Sequence, residues 1–332
     1  MPEQGFGTNG DRGTYVDLVF EGGGVKGIAL VGAYAVLEEQ GYEPQNMAGA
    51  SAGAIVAALI SAGYTSGELR RIISGLDYDR FKDEALEDRF PLGRTLSILK
   101  DLGIYEGEDF LEWMRGLLEA RGVRTFGDLV RREDDELRYR YKLQVIASDV
   151  TERRLLVLPR DAHKLGVGDP DDMDVAQAVR MSMSIPIFFE PVRFANRQTR
   201  KEHLIVDGGM LSNFPVWLFD AEEPQWPTFG LKLVQRPENP IGDELPQPVS
   251  RGGVSEVISY LRSLVDTMMA AHDRLYIEDH EFDRTIAIET LGVGTTEFDL
   301  SAERAMALYE SGRDAAQRFL IRHWDREELK RT

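Results

Sequence analysis

Two glycine turns near the N-terminus constrain the fold more than any other feature of this 332-residue chain. The β-rich run "TYVDLVF" (14–20) breaks off in "EGGGVKG", and "IALVGAYAVLEEQG" follows as a helix that Gly41 stops. A short link, "YEPQNMAGA", leads to the second turn, "GASAG", and then to "AGAIVAALISAG". That last run is apolar on every side, as a buried helix is. Strand, glycine loop, helix, short strand, sharp turn and buried helix, in that order, open a parallel α/β sheet.

The rest of the chain fits one domain carrying an insertion. Residues 64–138 are helix-rich and charged, with "EDFLEWMRGLLEARG" amphipathic. Strands resume at "YKLQVIASD" and "RRLLVLP", then "GVGDPDDMD" reads as a polar loop and "VAQAVRMSMSIPIFFEP" as a helix broken by Pro186. "HLIVDGG", "TFGLKLV" and "TIAIETL" read as strands, and "RPENPIGDELPQPVSRGG" as a surface loop. Helices are expected over about 254–276 and at the C-terminal end.

Each glycine turn allows more than one meaning. Gly22 to Gly27 fits G-x-G-x-x-G between a strand and a helix, as a dinucleotide fingerprint does. That fingerprint wants an acid at the tip of the second strand, and here the chain runs into Gly49-Ala50-Ser51 instead. The rival meaning is an oxyanion hole, since consecutive glycines turn backbone N–H groups toward one point and the following helix adds its positive end. A plain tight turn is the third. Gly49 and Gly53 flank Ser51 as in a nucleophile elbow, which leaves no room for side chains two positions before or after the serine. A serine capping the next helix fits the same letters.

A serine nucleophile needs a base. The five histidines, His163, His203, His272, His280 and His323, all lack a glycine-rich or strand-end setting and read as surface or packing residues. Asp207-Gly208-Gly209 does end a strand, and at the carboxyl edge of a parallel sheet Asp207 and Ser51 are expected to project together. A turn-forming aspartate is the plainer reading of Asp207 alone. Donors, nucleophile and base each occur once, each at an expected strand end.

Composition narrows the partners. A formal net charge of -18 argues against binding a phosphate backbone and gives no attraction to anionic lipid surfaces. With no cysteine, thiolate chemistry and Cys-based zinc sites are excluded. No run approaches the roughly 18 apolar residues of a membrane span, and the first residues carry no signal-peptide pattern. A soluble, cytoplasmic protein is the expectation, with export by a signal-less route left open.

Taken together, Gly22 to Gly27, Gly49 to Gly53 and Asp207 to Gly209 resemble the patatin-like phospholipase family, in the same order and spacing. "MSMSIPIFFEPV" and "LSNFPV" on either side of Asp207 are similar to that family's flanking segments. The resemblance covers about residues 14–220 and carries no chemistry into about 221–332. It implies a three-layer α/β/α fold, mostly parallel in its sheet, and a lipid acyl hydrolase with a Ser51–Asp207 dyad and no histidine. It further implies an oxyanion hole from the backbone of Gly22, Gly23 and Gly24, with Lys26 and Gly27 supporting the loop. No cofactor and no metal are expected, and the partners would be an acyl lipid and a transient membrane surface. Two other readings are a dinucleotide-dependent oxidoreductase and an esterase with a Ser-His-Asp triad. A non-catalytic interaction protein that keeps the fold is a further one.

Overall fold

Every strand expected from the sequence forms, and so does the link before Ser51. The computed structural model describes residues 14–75, 107–131, 138–196, 198–235, 283–295, 297 and 300–329. Among them the strands are β1 (Thr14–Phe20), β2 (Tyr42–Gly49), β3 (Leu143–Asp149), β4 (Arg154–Leu158), β5 (Val192–Ala195), β6 (Glu202–Asp207), β7 (Thr228–Val234) and β8 (Thr285–Glu289). The helices are α1 (Gly27–Glu39), α2 (Ala52–Ser61), α3 (Ser66–Ser74), α4 (Glu108–Glu119), α5 (Val175–Ser182) and α6 (Ala302–Leu329). The expected surface loop after β7, the helix over about 254–276 and much of the 64–138 insertion lie outside the described residues.

All the strands join one mixed sheet in the order β5-β6-β3-β2-β1-β7-β8, with β4 added on β3. The β8-β7-β1-β2-β3 run is parallel, whereas β4 and β6 run antiparallel to β3, and β5 antiparallel to β6. Helices flank this sheet. Alternation along the strands sorts the core cleanly. Val16, Leu18 and Phe20 of β1 join the large cluster built with α1 and α2. Val19 turns to the other face, with Ala48 and Ile146, under a short 3-10 turn that supplies Val216, Leu218 and Phe219.

The link "YEPQNMAGA" is a strand in spite of Pro44. The β1–β2 register shifts between Val16 and Leu18, a β-bulge, and the Asp17 carboxylate accepts the Asn46 N–H there at 3.1 Å. A buried carboxylate thus satisfies an amide close to the irregularity. α1 is apolar all round because it is buried all round, and it stops where Gly41 takes φ 77°. α3 starts on a Thr65–Glu68 capping box, and α5 on the Asp174 side chain, which accepts the Gln177 N–H. α5 ends at Ser182, earlier than the expected break at Pro186, whose ring would clash with the Ser182 carbonyl four residues back if the helix ran on.

α6 lies against α1 at a distance only glycine permits. A Cβ on Gly32 would stand 2.0 Å from the Tyr309 carbonyl oxygen, and one on Gly312 would stand 1.9 Å from that of Ala29. Gly312→Ala must therefore push the two helices apart, at about 1–3 kcal/mol. Urea unfolding is expected to show a lower midpoint with an unchanged slope, and an unaltered midpoint would contradict so close a crossing. No helix among the described residues is long and apolar enough to cross a membrane.

Candidate active site

β2 ends at Gly49 and α2 begins at Ala52, so the chain reverses direction within Ala50 and Ser51. Ser51 takes φ 51° and ψ -127°, a conformation that costs a non-glycine residue about 1–3 kcal/mol. Both flanking glycines are required by contact. A Cβ on Gly49 would lie 2.4 Å from the Gly53 backbone, and one on Gly53 2.3 Å from the Phe20 carbonyl oxygen. Ser51 occupies the capping position of α2, yet its side chain makes no capping bond. The capping reading therefore fails, and the buried hydroxyl is left for another role.

Asp207 reaches the same place by a route the sequence did not suggest. Its strand is antiparallel to β3, so the expected shared carboxyl edge of a parallel sheet does not exist here. Register does the work instead. Gly49 at the tip of β2 lies opposite Val145, and Asp207 lies opposite Ala147, two residues further along β3, the level that Ser51 reaches beyond Gly49. β6 thus descends to Ser51 and stops beside it.

The Asp207 carboxylate is fully buried. Oδ1 accepts the Gly209 N–H at 2.7 Å, the turn-forming bond expected of an aspartate before glycines. Among the described residues Oδ2 has no partner of full hydrogen-bond geometry, although the Ser51 hydroxyl stands close enough to the carboxylate to favour its charged form. Resting catalytic pairs commonly show such long or poorly aligned contacts. Burial dominates the electrostatics: it lifts the carboxyl from its ordinary value to about 7, against the smaller opposing pull of Ser51 and the Gly209 N–H. A carboxylate tuned there can take and return a proton near neutral pH. Gly208 gives the strand end its room, since a Cβ there would meet the Ile146 carbonyl oxygen at 2.2 Å.

The glycine loop contributes less than the sequence suggests. Gly22 donates its N–H to the Asn213 carbonyl at 3.0 Å, so it has no amide to offer a reacting oxygen. This corrects its place among the expected donors. Gly22 supplies close approach instead, a Cβ there falling 3.1 Å from the Ser51 Cβ. Gly23 and Gly24 keep N–H groups with no bond among the described residues. Gly24, at φ 56°, is braced by the segment after β8: a Cβ on it would strike the Thr295 carbonyl, which accepts the Val25 N–H at 3.2 Å. Lys26 closes the turn with its own N–H on the Gly23 carbonyl. Gly27 opens α1 against α2, a Cβ there standing 3.3 Å from that of Ala52, so the positive ends of two helices meet at the site.

Three further residues hold the site together. Asn213 bonds Gly22 twice, through its carbonyl and through Nδ2, which donates to the Gly22 carbonyl at 3.1 Å. Ser182, the last residue of α5, accepts the Ser51 N–H, and Ser184, two residues past it, accepts the Asp207 N–H through its carbonyl. The segments around them were noticeable in the sequence, but their bonding partners were not. Neither described histidine side chain bonds to Ser51. His203 is buried with Nδ1 2.9 Å from Asp149, and His163 sits in a short 3-10 turn against the Arg160 carbonyl. His272, His280 and the side chain of His323 lie outside the described residues.

Comparison with known proteins finds similarity at the level of family and fold. A family profile described as "Patatin-like phospholipase" matches residues 18–220. The uncharacterized protein YqhO of Bacillus subtilis is 39% identical over 308 residues, covering 92% of this chain and 98% of its own length. A probable lipid hydrolase of Invertebrate iridescent virus 6 is 27% identical over 205 residues, covering 61% of this chain and 62% of its own. Among solved structures, VipD from Legionella pneumophila aligns with a TM-score of 0.51 and 20% identity, covering 94% of this chain and 67% of VipD. ExoU of Pseudomonas aeruginosa, in its complex with SpcU, aligns with a TM-score of 0.52 and 19% identity, over 94% of this chain and 52% of that one. At those identities the two structures support the fold alone.

Proposed function

Since this chain belongs to the patatin-like phospholipase family, we propose that it hydrolyses carboxylic esters of acyl lipids through a Ser51–Asp207 dyad. The observation that carries this reading is the uncapped, strained Ser51 beside a buried carboxylate lifted to about 7. Asp207 takes the Ser51 proton as Oγ attacks the ester carbonyl, and the Gly23 and Gly24 amides receive the charge that develops on the carbonyl oxygen. The tetrahedral intermediate collapses, the alcohol leaves with the proton held by Asp207, and the acyl group stays on Ser51. Water then attacks this acyl-enzyme, Asp207 takes its proton, and the fatty acid departs as Ser51 recovers its own.

The dinucleotide reading loses its support at the tip of β2, where the ribose-binding acid would stand and the chain instead turns through Ala50 and Ser51. The test is fatty-acid release by the purified chain from vesicles of zwitterionic phospholipid, followed by mass spectrometry. Release is expected. A chain that frees no acyl group from phospholipid, lysophospholipid, glyceride or a short-chain chromogenic ester would overturn the proposal.

A further inference from the structure

We infer that the stretch Arg180–Ser184 sets the geometry of the dyad, with Ser182 acting as a positioning residue that holds the Ser51 backbone in its strained conformation. This rests on the dyad reading above. Ser182 Oγ accepts the Ser51 N–H at 2.9 Å, and two residues on, the Ser184 carbonyl accepts the Asp207 N–H at 2.9 Å. One short piece of chain therefore grips nucleophile and base by their backbones and fixes the spacing between them.

The grip is itself anchored. The buried Arg180 guanidinium donates from Nε to the Gly107 carbonyl at 3.1 Å, and from its terminal nitrogens to the Glu190 carbonyl at 3.1 Å and to Ser184 Oγ. It also stands over the Phe189 ring. Ser184 Oγ in turn donates to the Arg180 carbonyl at 2.6 Å.

Ser182 departs from what buried helical serines ordinarily do. Their hydroxyls bond back to the carbonyl four residues earlier, as Ser61 does to Ala57 at 2.8 Å. Ser182 oxygen instead crosses to a residue 131 positions away. The amide it accepts sits at the start of a helix, where no intrahelical partner exists. Without Ser182 a buried N–H goes unpaired, and the strain at Ser51 loses its counterweight.

The test compares Ser182→Ala with wild type on a soluble chromogenic ester. A loosened nucleophile lowers kcat by about 10- to 100-fold and leaves KM within about threefold. Because the Ser51 hydroxyl favours the charged form of Asp207, loosening it also moves the acid limb of kcat/KM to higher pH. Ser61→Ala, which removes a buried serine bonded within its own helix, is expected to keep the wild-type kcat and pH profile. Should Ser182→Ala fold poorly, the rate of fluorophosphonate labelling per folded molecule reads the same geometry and is expected to drop at least tenfold. A kcat and labelling rate within threefold of wild type, or an unmoved acid limb, would overturn the inference. Ser51→Ala is measured alongside. An active Ser51→Ala sinks the dyad itself, whereas an inactive Ser51→Ala with a fully active Ser182→Ala sinks only the role given to Ser182.

Discussion

Ser51→Ala is expected to lower kcat on a short-chain chromogenic ester by about 10⁴-fold or more, while the melting temperature moves by only a few degrees. The two halves of this expectation have separate causes. Activity falls because the acyl group has nowhere to go: the elbow presents one hydroxyl, and the residues on either side of it are glycine or alanine. Stability holds because the hydroxyl makes no capping bond for α2, so its removal breaks no helix start. The backbone N–H that Ser182 holds is unchanged in the alanine variant. A large drop in melting temperature would mean that the hydroxyl was serving the fold after all.

Asp207→Asn is expected to lower kcat by about 10³-fold or more and, at pH 8, to raise the melting temperature. Asparagine can still accept the Gly209 N–H, so the turn survives, but an amide cannot take the Ser51 proton. The gain in stability follows from the sign of the linkage. Folding raises the affinity of this carboxyl for its proton, from the ordinary 3.8 to about 7. Between those values the folded chain holds a proton that the unfolded chain has released. Stability from this group is therefore full below about pH 4, declines as pH rises toward 7, and stays low above it. The total is on the order of 4 kcal/mol for a group buried this completely. Asparagine carries no charge to bury and escapes the decline. The gap between variant and wild type should accordingly close as the pH is brought down to 4, and a gap that widened on acidification would contradict the burial of an ionised Asp207. The same proton places the acid limb of wild-type activity near pH 7.

How far the sequence could be read follows from what each part depends on. Ser51 and Asp207 were visible because each stands where an apolar run breaks into small residues, a local signal. The direction of β6 was not visible. "HLIVDGG" fits either orientation, and only its pairing with β5 and β3 turns it antiparallel. Asp207 still arrives beside Ser51, by register rather than by a common sheet edge. The loss of Gly22 as a donor was equally hidden, since its N–H is taken by the carbonyl of Asn213, distant along the chain. Main-chain bonds between remote segments leave no trace in residue identity. The same holds for Ser182 and Ser184: the sequence suggests a helix running on to Pro186, whereas Ser182 is its last residue and Ser184 lies beyond it. Of the two roles the sequence allows His203, surface or packing, the structure shows packing, buried against Asp149.

The central claim is that Ser51 and Asp207 perform the chemistry without imidazole. The most direct measurement is peptide mapping of the protein after reaction with a fluorophosphonate, with labelling rates compared among wild type, Asp207→Asn and His203→Gln. A single adduct on Ser51 is expected, formed at least 100-fold more slowly in Asp207→Asn and at the wild-type rate per folded molecule in His203→Gln. An adduct on another residue, or an Asp207→Asn variant that labels as fast as wild type, would contradict it.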